Sequence, residues 1–321
     1  MTRIGTSDLD VFPLALGGNV FGWTADRDTS FQILDDFRAG GGNFIDTADS
    51  YSAFAPGNVG GESETIIGEW LDSRGLRGSD EVVVATKVSQ HPQFRGLAAS
   101  NVRAAAEASL QRLGVDRIDL YYAHFDDADT PLEETVAAFG ALVHDGLVRY
   151  TAVSNYSAAR IREWVRIARE LGVAEPVAVQ PHYNLVHRET ENDIIPVAAE
   201  LGLGVVPYFS LAKGFLTGKY RSTDAAGDGH TSPRAEGAAK YATPQVLQIL
   251  EVVERVGVAH GVSMASAALA WLRAKPTVVA PLASASKPSQ VPDLLAGATT
   301  DLSADEVAAL DEISEWTPTD M

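Results

Sequence analysis

The 321-residue sequence contains no cysteine and no long apolar run. The absence of cysteine excludes disulfide frameworks, zinc ribbons and thiol catalysis together. No stretch approaches the roughly 18 consecutive apolar residues that a membrane-spanning helix needs. The first residues also lack the apolar stretch of a secretory signal peptide, so the sequence predicts a cytoplasmic protein.

Basic residues are scarce as well. The chain has 25 Lys and Arg against 43 Asp and Glu, a formal net charge of −18. Nucleic acids and anionic membranes bind basic surfaces, so we expect neither as a partner. There is no GxxxxGK[ST] motif, and Gly17, Gly18 and Gly22 follow a GGxxxG spacing instead of GxGxxG. A P-loop and a Rossmann domain are therefore not predicted.

Short apolar runs rich in β-branched residues alternate with longer amphipathic stretches. Such runs are typical of strands buried on both faces of a parallel sheet. They are LAL (14–16), NFIDTA (43–48), VVVATKV (82–88), IDLYYAH (118–124), VRYTAVSN (148–155), PVAVQ (176–180), LGVVPYF (203–209) and TVVAPLA (277–283). Eight strands alternating with helices predict a single α/β domain over residues 1–321, a (β/α)8 TIM barrel.

Three local features refine this prediction. The opening RIGTSDLDV (3–11) is typical of a short hairpin at the barrel floor. The stretch 211–241 predicts a long loop after the seventh strand. In the amphipathic stretch 130–146, Thr130 is expected as the N-cap and Pro131 at the first helical position.

Polar residues close six successive runs. Active sites of such barrels lie at the C-terminal ends of the strands, so these residues are the first candidates for a site. They are Asp46 with the following Tyr51, Lys87, His124, Ser154 with Asn155, Gln180, and Tyr208 with Ser210. Their convergence predicts a polar site at one end of the barrel.

Lys87 is one of only six lysines, and it interrupts an apolar run. A buried ammonium needs a nearby carboxylate, and Asp46 is the natural partner, so a structural ion pair is one interpretation. Tyr51 supports a catalytic one, because a phenol needs its pKa lowered by about three units to exchange a proton at neutral pH. An ammonium about 4 Å away stabilises the phenolate by about 4 kcal/mol at an effective dielectric constant of about 20, which lowers the phenol pKa by about three units.

His124, Asp126 and Asp127 raise the alternative of a metal site. The chain has no HExxH motif or equivalent set of ligands, so we predict no bound metal. An isolated histidine at a strand end is also commonly a hydrogen-bonded core residue.

Several segments act together as a family pattern. They are FIDTADSY (44–51), GGESETIIGEWL (60–71), ATKV (85–88), DLYYAHFDD (119–127), AVSNY (152–156), VQPHYNL (179–185) and VVPYFSLAKGFLTGKY (205–220). With these segments the chain resembles the aldo-keto reductase family from Arg3 to about Ser314. The resemblance implies a catalytic tetrad of Asp46, Tyr51, Lys87 and His124. Tyr51 would protonate a carbonyl oxygen, Lys87 held by Asp46 would lower the phenol pKa, and His124 would orient the substrate.

The resemblance also implies a nicotinamide cofactor, NADPH, with NADH as the alternative. Ser154, Asn155 and Gln180 would bind the carboxamide, and Tyr208 would stack on the nicotinamide ring. The other implied cofactor-binding residues are Gly18, Asp46, Ser210, Leu211, Lys213, Ser284, Ser286, Lys287 and Gln290.

This sequence departs from the family pattern at the adenosine end. Ser284 and Ser286 stand where many members have Gly and Arg, and Leu294 lies near a common Asn. Lys287 is therefore the candidate for the 2′-phosphate contact.

Three hypotheses of function remain open at the level of sequence. The favoured one is an enzyme that reduces a small-molecule aldehyde or ketone, with Phe21, Trp23 and Phe54 lining the substrate pocket. A second is a cofactor-binding, redox-sensing regulatory subunit with little turnover, since relatives of this fold serve as partners of channels. A third is a barrel isomerase or lyase that uses Lys87 as a Schiff-base amine.

Overall fold

The computed structural model describes residues 1–222 and 235–315. Within them, eight parallel strands form one sheet, and each strand overlaps one of the eight predicted runs. They are β1 (Ala15–Gly17), β2 (Phe44–Asp46), β3 (Val83–Val88), β4 (Ile118–Ala123), β5 (Val148–Ser154), β6 (Pro176–Gln180), β7 (Gly204–Val205) and β8 (Leu282–Ala283).

The sheet closes on itself. Its strands neighbour one another in the order β7-β6-β5-β4-β3-β2-β1-β8. At the seam, Val279 N donates to Val205 O and Leu282 N donates to Pro207 O, both at 2.9 Å. The predicted (β/α)8 barrel is confirmed. β7 and β8 are shorter than their runs because Pro207 and Pro281 have no N–H to give to a ladder.

Helices cover the outside of the barrel. Those described are α1 (Arg27–Ala39), α2 (Glu62–Ser73), α3 (Ala99–Leu113), α4 (Leu132–His144), α5 (Ala158–Leu171), α6 (Ile194–Leu201), α7 (Ala235–Ala239), α8 (Pro244–His260), α9 (Met264–Arg273), α10 (Val291–Thr299) and α11 (Ala304–Ser314). The predicted N-cap of α4 is wrong. Pro131 has ψ of 132° and precedes the helix, and the Thr130 hydroxyl donates to Asp127 Oδ2 at 2.7 Å.

The N-terminal hairpin is present as predicted. Thr2–Arg3 pairs antiparallel with Asp10–Val11. Ile4 and Leu9 join the apolar cluster that fills the barrel interior, so the hairpin closes the barrel floor. Gly5, with φ of 50°, is required there because a Cβ would lie 2.2 Å from the Val177 carbonyl oxygen.

The long segment after β7 is partly described. Ala212–Thr217 forms 3-10 turns that are interrupted by a kink at Lys213 and Gly214. Residues 223–234, which belong to the predicted loop 211–241, lie outside the described residues. In the two described ranges, none of the helices combines the length and the apolarity that a membrane crossing needs.

Candidate active site

Because side chains alternate along a strand, the polar residues at the strand ends point into the mouth of the barrel. Val83 and Ala85 of β3 pack in the barrel interior, and Lys87, two positions further, points the same way. Phe44 and Asp46 of β2 follow the same spacing. On the other strands this spacing brings in His124, Ser154, Gln180 and Tyr208. Residues from six strands thus share one site.

Lys87 and Asp46 form the centre of this site, and both side chains are fully buried. The Lys87 ammonium donates to Asp46 Oδ1, to the Thr47 carbonyl oxygen at 2.7 Å and to the Tyr51 phenol oxygen at 3.0 Å. Gln180 Nε2 donates to Asp46 Oδ2 at 2.8 Å. All three ammonium hydrogens and both carboxylate oxygens therefore have partners.

This geometry determines the charge of Lys87. Burial disfavours the charged ammonium, but the Asp46 carboxylate and the Tyr51 oxygen outweigh burial and raise the pKa of Lys87 above its ordinary value. The side chain is therefore positively charged at neutral pH. Its charge lies next to the phenol oxygen of Tyr51.

His124 faces Tyr51, with the ring centroids 6.1 Å apart. Burial, together with the charge of Lys87, lowers the pKa of His124 well below its ordinary value. The imidazole is therefore neutral at neutral pH and offers one N–H donor and one acceptor. Its Nδ1 is buried and has no hydrogen-bond partner among the described residues.

The acidic residues after His124 are engaged elsewhere. Asp126 accepts two hydrogen bonds from Arg160, at 2.7 and 2.9 Å, and Asp127 accepts from Leu97 N at 2.8 Å. Within residues 1–222 and 235–315, no three His, Asp or Glu side chains are grouped so that they could hold a metal ion.

Asn155 connects three strand ends. Its φ of 57° lies in the left-handed region, which asparagine adopts more readily than most residues. Its Nδ2 donates to the His124 carbonyl oxygen at 2.9 Å and to Ser154 Oγ at 3.1 Å, and its Oδ1 accepts from the Tyr208 hydroxyl at 2.8 Å. Ser154 Oγ in turn donates to the Gln180 carbonyl oxygen at 2.8 Å. The four residues predicted around the nicotinamide are thus joined in one network.

A cleft of about 720 Å³ opens between the segments that follow β7 and β8. Predicted cofactor-binding residues line both of its walls: Ser210, Leu211, Lys213, Ser284, Ser286, Lys287 and Gln290. Gln290 shapes one wall, because its Oε1 accepts from Ser286 N at 2.8 Å and from Lys287 N at 3.1 Å. The volume is that of a typical ligand pocket.

The opposite wall has an unusual backbone. Phe209, Ala212 and Lys213 have φ of 52°, 47° and 57°, and Gly214 has φ of 95°. Residues with side chains rarely adopt this conformation, and it clusters at ligand-binding sites. Turns that include left-handed residues can point successive backbone N–H groups at one spot and so bind anions. Together with the Lys213 ammonium, this wall fits a diphosphate group.

The cleft also contains residues absent from the sequence predictions. Asn19 lines it, and its Oδ1 accepts from Ser284 Oγ at 2.7 Å. Asn19 lies two residues after the end of β1, so a search for polar residues at strand ends would have included it. Gly18, which was predicted to bind cofactor, is buried behind it. Gly18 N donates to Asp46 O at 2.8 Å, and a Cβ at Gly18 would lie 2.8 Å from Ser63 Oγ.

The three aromatic residues predicted for a substrate pocket lie in different environments. Trp23 and Phe54 contact each other edge to face, with centroids 4.8 Å apart, and Phe54 is 65% exposed. Phe21 is fully buried in the core and presents no surface to a ligand. Phe125, which was not predicted, is 41% exposed and lies beside His124.

A second buried carboxyl lies near the site. Asp49 N donates to the Lys87 carbonyl oxygen at 3.2 Å, and its carboxyl oxygens are buried without hydrogen-bond partners in the described part of the chain. Glu64, also buried, accepts from Thr86 Oγ1 at 2.5 Å and from Arg112 Nε at 2.6 Å. Burial, and next the charge of Glu64, raises the pKa of Asp49 well above its ordinary value.

Replacement of Asp49 by Asn is expected to change how stability depends on pH. Because the folded-state pKa of Asp49 is raised, the free energy of unfolding falls as pH rises from about 3.8 through the raised value. Asp49→Asn removes this dependence and stabilises the protein at neutral pH by about 1–3 kcal/mol. Urea unfolding at pH 5 and pH 8 measures it. Asp129→Asn, at an exposed turn residue, is the control and should change neither value.

Comparison with known proteins identifies the family of this barrel. A model of the Aldo/keto reductase family matches residues 13–315. The chain belongs to this family. The match covers all eight strands and every residue of the site described above.

Similar proteins have diverse names. An uncharacterized oxidoreductase, YrpG, of Bacillus subtilis is 32% identical over 320 residues, 97% of this chain and 95% of that protein. Norsolorinic acid reductase B of Dothistroma septosporum is 33% identical over 327 residues, 95% and 79% of the two chains. A probable voltage-gated potassium channel subunit beta of Oryza sativa is 32% identical over 296 residues, 90% and 88%. The family and these reductase relatives support an oxidoreductase.

Proposed function

We propose that this aldo/keto reductase is an NADPH-dependent carbonyl reductase in which Tyr51 is the general acid. The observation that carries the proposal is the hydrogen bond from the buried, charged Lys87 to the Tyr51 oxygen. A neighbouring positive charge favours the phenolate, which makes the phenolic proton easier to give up. Asp46 keeps Lys87 charged and in place.

In this mechanism Tyr51 donates its proton to the carbonyl oxygen of the substrate as the carbonyl carbon is reduced. The Lys87 ammonium then stabilises the phenolate that forms. His124, as a neutral donor, hydrogen-bonds the same oxygen and holds it against the phenol. General acid catalysis of this kind contributes about 10²–10⁴ in rate.

The residues of the cleft, together with the hydrogen-bonded network around Asn155, fit a dinucleotide. The bound nicotinamide would supply the hydride, which is chemistry that protein side chains lack. Asn155, Ser154 and Gln180 would hold the carboxamide, and Tyr208 would support the ring. The left-handed turn at Lys213 would take the diphosphate. Ser284, Ser286, Lys287 and Gln290 would hold the adenosine end.

The adenosine end gives a prediction about cofactor preference. Ser286→Arg is expected to tighten NADPH relative to NADH by about tenfold, because a guanidinium forms charge-assisted bonds with a phosphate. Ser286 lines the cleft, whereas the nearby Ser289 is exposed. Ser289→Arg adds the same charge outside the lining of the cleft and is therefore the control. Fluorescence titration of both cofactors measures the affinity ratio. An unchanged ratio in Ser286→Arg, or an equal change in Ser289→Arg, would place the 2′-phosphate elsewhere.

A regulatory subunit is the second candidate, since three similar proteins carry the name of a probable or putative voltage-gated potassium channel subunit beta. The complete Asp46, Tyr51, Lys87 and His124 arrangement favours turnover. Reduction of 4-nitrobenzaldehyde, followed by NADPH absorbance, tests the proposal. Tight NADPH binding without turnover over a broad panel of aldehydes and ketones would support the subunit instead.

The hypothesis of a Schiff-base enzyme fits the site less well. A Schiff-base amine must be neutral and must reach the substrate. Lys87 is charged, fully buried and bonded to three oxygens. Borohydride treatment in the presence of substrate should therefore trap no adduct on Lys87.

The mouth of the barrel bears on the substrate class. Trp23, Phe54 and Phe125 are partly or largely exposed there, so the mouth presents apolar surface next to the Tyr51 and His124 pair. Such a surface favours aldehydes and ketones of moderate size with an apolar body. The carbonyl panel tests this preference directly.

A further inference from the structure

Three rings form a column beside the site. The imidazoles of His182 and His187 are stacked with centroids 3.8 Å apart and planes 10° apart. His182 is stacked on Tyr208 with centroids 5.3 Å and planes 17° apart. Phe209 packs against Tyr208 edge to face at 5.1 Å. Tyr208 itself is half-buried.

The column is held from several directions. His187 is folded back over His182 by a tight turn, in which Asn184 N donates to His187 O and His187 N donates to Asn184 O, both at 3.1 Å. Asn184 Nδ2 donates to the Phe209 carbonyl oxygen at 2.9 Å and lies 3.3 Å from His182 Nε2. The His182 carbonyl oxygen accepts from Thr190 Oγ1 at 2.7 Å.

Both histidines are neutral at neutral pH. Burial lowers the pKa of His187, and burial, followed by the neighbouring His187 and Lys213, lowers the pKa of His182 to about 3. Neutral parallel rings pack against each other without repulsion between charges.

Besides Phe209, two contacts restrain the orientation of Tyr208. Its hydroxyl donates to Asn155 Oδ1, which fixes the distal end of the ring. That bond alone leaves rotation about the long axis of the ring open. His182 covers one face and restricts this rotation.

We propose that His182, backed by His187, is a positioning residue that sets the plane of Tyr208 for stacking on the nicotinamide. This inference rests on the proposed function, in which Tyr208 supports that ring. His182 and His187 act through Tyr208 and contact neither substrate nor the reacting atoms. The column would continue through Tyr208 to the nicotinamide.

Binding of two ligands by His182 variants tests the proposal. One ligand is NADPH, and the other is adenosine 2′,5′-bisphosphate, which has the adenosine end but no nicotinamide. His182→Ala is expected to weaken NADPH by about tenfold, the upper range for one aromatic pair, and to leave the bisphosphate within about twofold. His182→Phe keeps a flat ring and should restore NADPH affinity.

The outcomes separate this inference from the function on which it rests. His182→Ala with wild-type NADPH affinity, or with equal losses for both ligands, overturns the positioning role. Failure of His182→Phe to restore affinity overturns it as well. Wild-type protein that binds NADPH but reduces no carbonyl overturns the enzymatic proposal and leaves the binding comparison intact. Wild-type protein that binds neither NADPH nor NADH overturns both.

Discussion

Tyr51→Phe is expected to lower kcat/KM for carbonyl reduction by about 10²–10⁴-fold, because the variant keeps the ring and loses the proton that is transferred. The affinity for NADPH should stay within about twofold, since the lost hydroxyl acts in the transition state. The fold should also be unchanged, because Lys87 keeps Asp46 and the Thr47 carbonyl oxygen as partners. Steady-state kinetics and cofactor titration measure the two effects.

A matched control for this variant is Tyr150→Phe. Tyr150 lies on β5 far from the mouth of the barrel, and its hydroxyl bonds to Asp8 at 2.9 Å. Its replacement should leave turnover unchanged. Wild-type turnover in Tyr51→Phe would remove Tyr51 from the role of acid.

Lys87→Met is expected to cost both activity and stability. It removes the charge beside the phenol, so kcat should fall by about 10²–10⁴-fold. It also leaves the Asp46 carboxylate buried without its ion-pair partner, which costs about 3–5 kcal/mol in the free energy of unfolding. Urea unfolding and turnover of 4-nitrobenzaldehyde measure the two losses.

The double variant Lys87→Met, Asp46→Asn separates these effects. The neutral amide at position 46 leaves no buried charge without a partner, so most of the lost stability should return. Activity should not return, because the ammonium next to Tyr51 is still absent. If the double variant were as unstable as the single one, the buried carboxylate would not be the cause of the loss. If Lys87→Met turned over normally, Lys87 would have no part in the mechanism.

The sequence predicted the barrel well because its strands are short, apolar and separated by helices. The two shortest strands show where such a prediction ends. The runs 203–209 and 277–283 are apolar throughout, yet Pro207 and Pro281 interrupt the ladders. The cap of α4 failed for a similar local reason, since Thr130 has a better partner in Asp127, which lies before it in the loop.

The site was predictable where residues follow the strand period. Phe44 to Asp46 and Ala85 to Lys87 are two-residue steps, and such steps point a polar side chain to the place where the interior ends. Loop side chains follow no such period. Phe21 could not be told from Trp23 by sequence, and only packing shows that the first is enclosed in the core. The opposing stack of His182 on Tyr208 depends on a turn whose shape no periodicity encodes.

The hydrogen bond between Gln180 and Asp46 has a consequence for how this protein could be re-engineered. The four proposed catalytic residues all lie before position 125. The residues proposed for the dinucleotide, apart from Gly18 and Asp46, begin at Ser154. Gln180 spans the barrel and ties the second group to the first. A chimera could take its C-terminal half from a relative. It should then have that relative's coenzyme preference and keep Tyr51 as the acid, provided that the relative supplies a glutamine at position 180 to bond with Asp46.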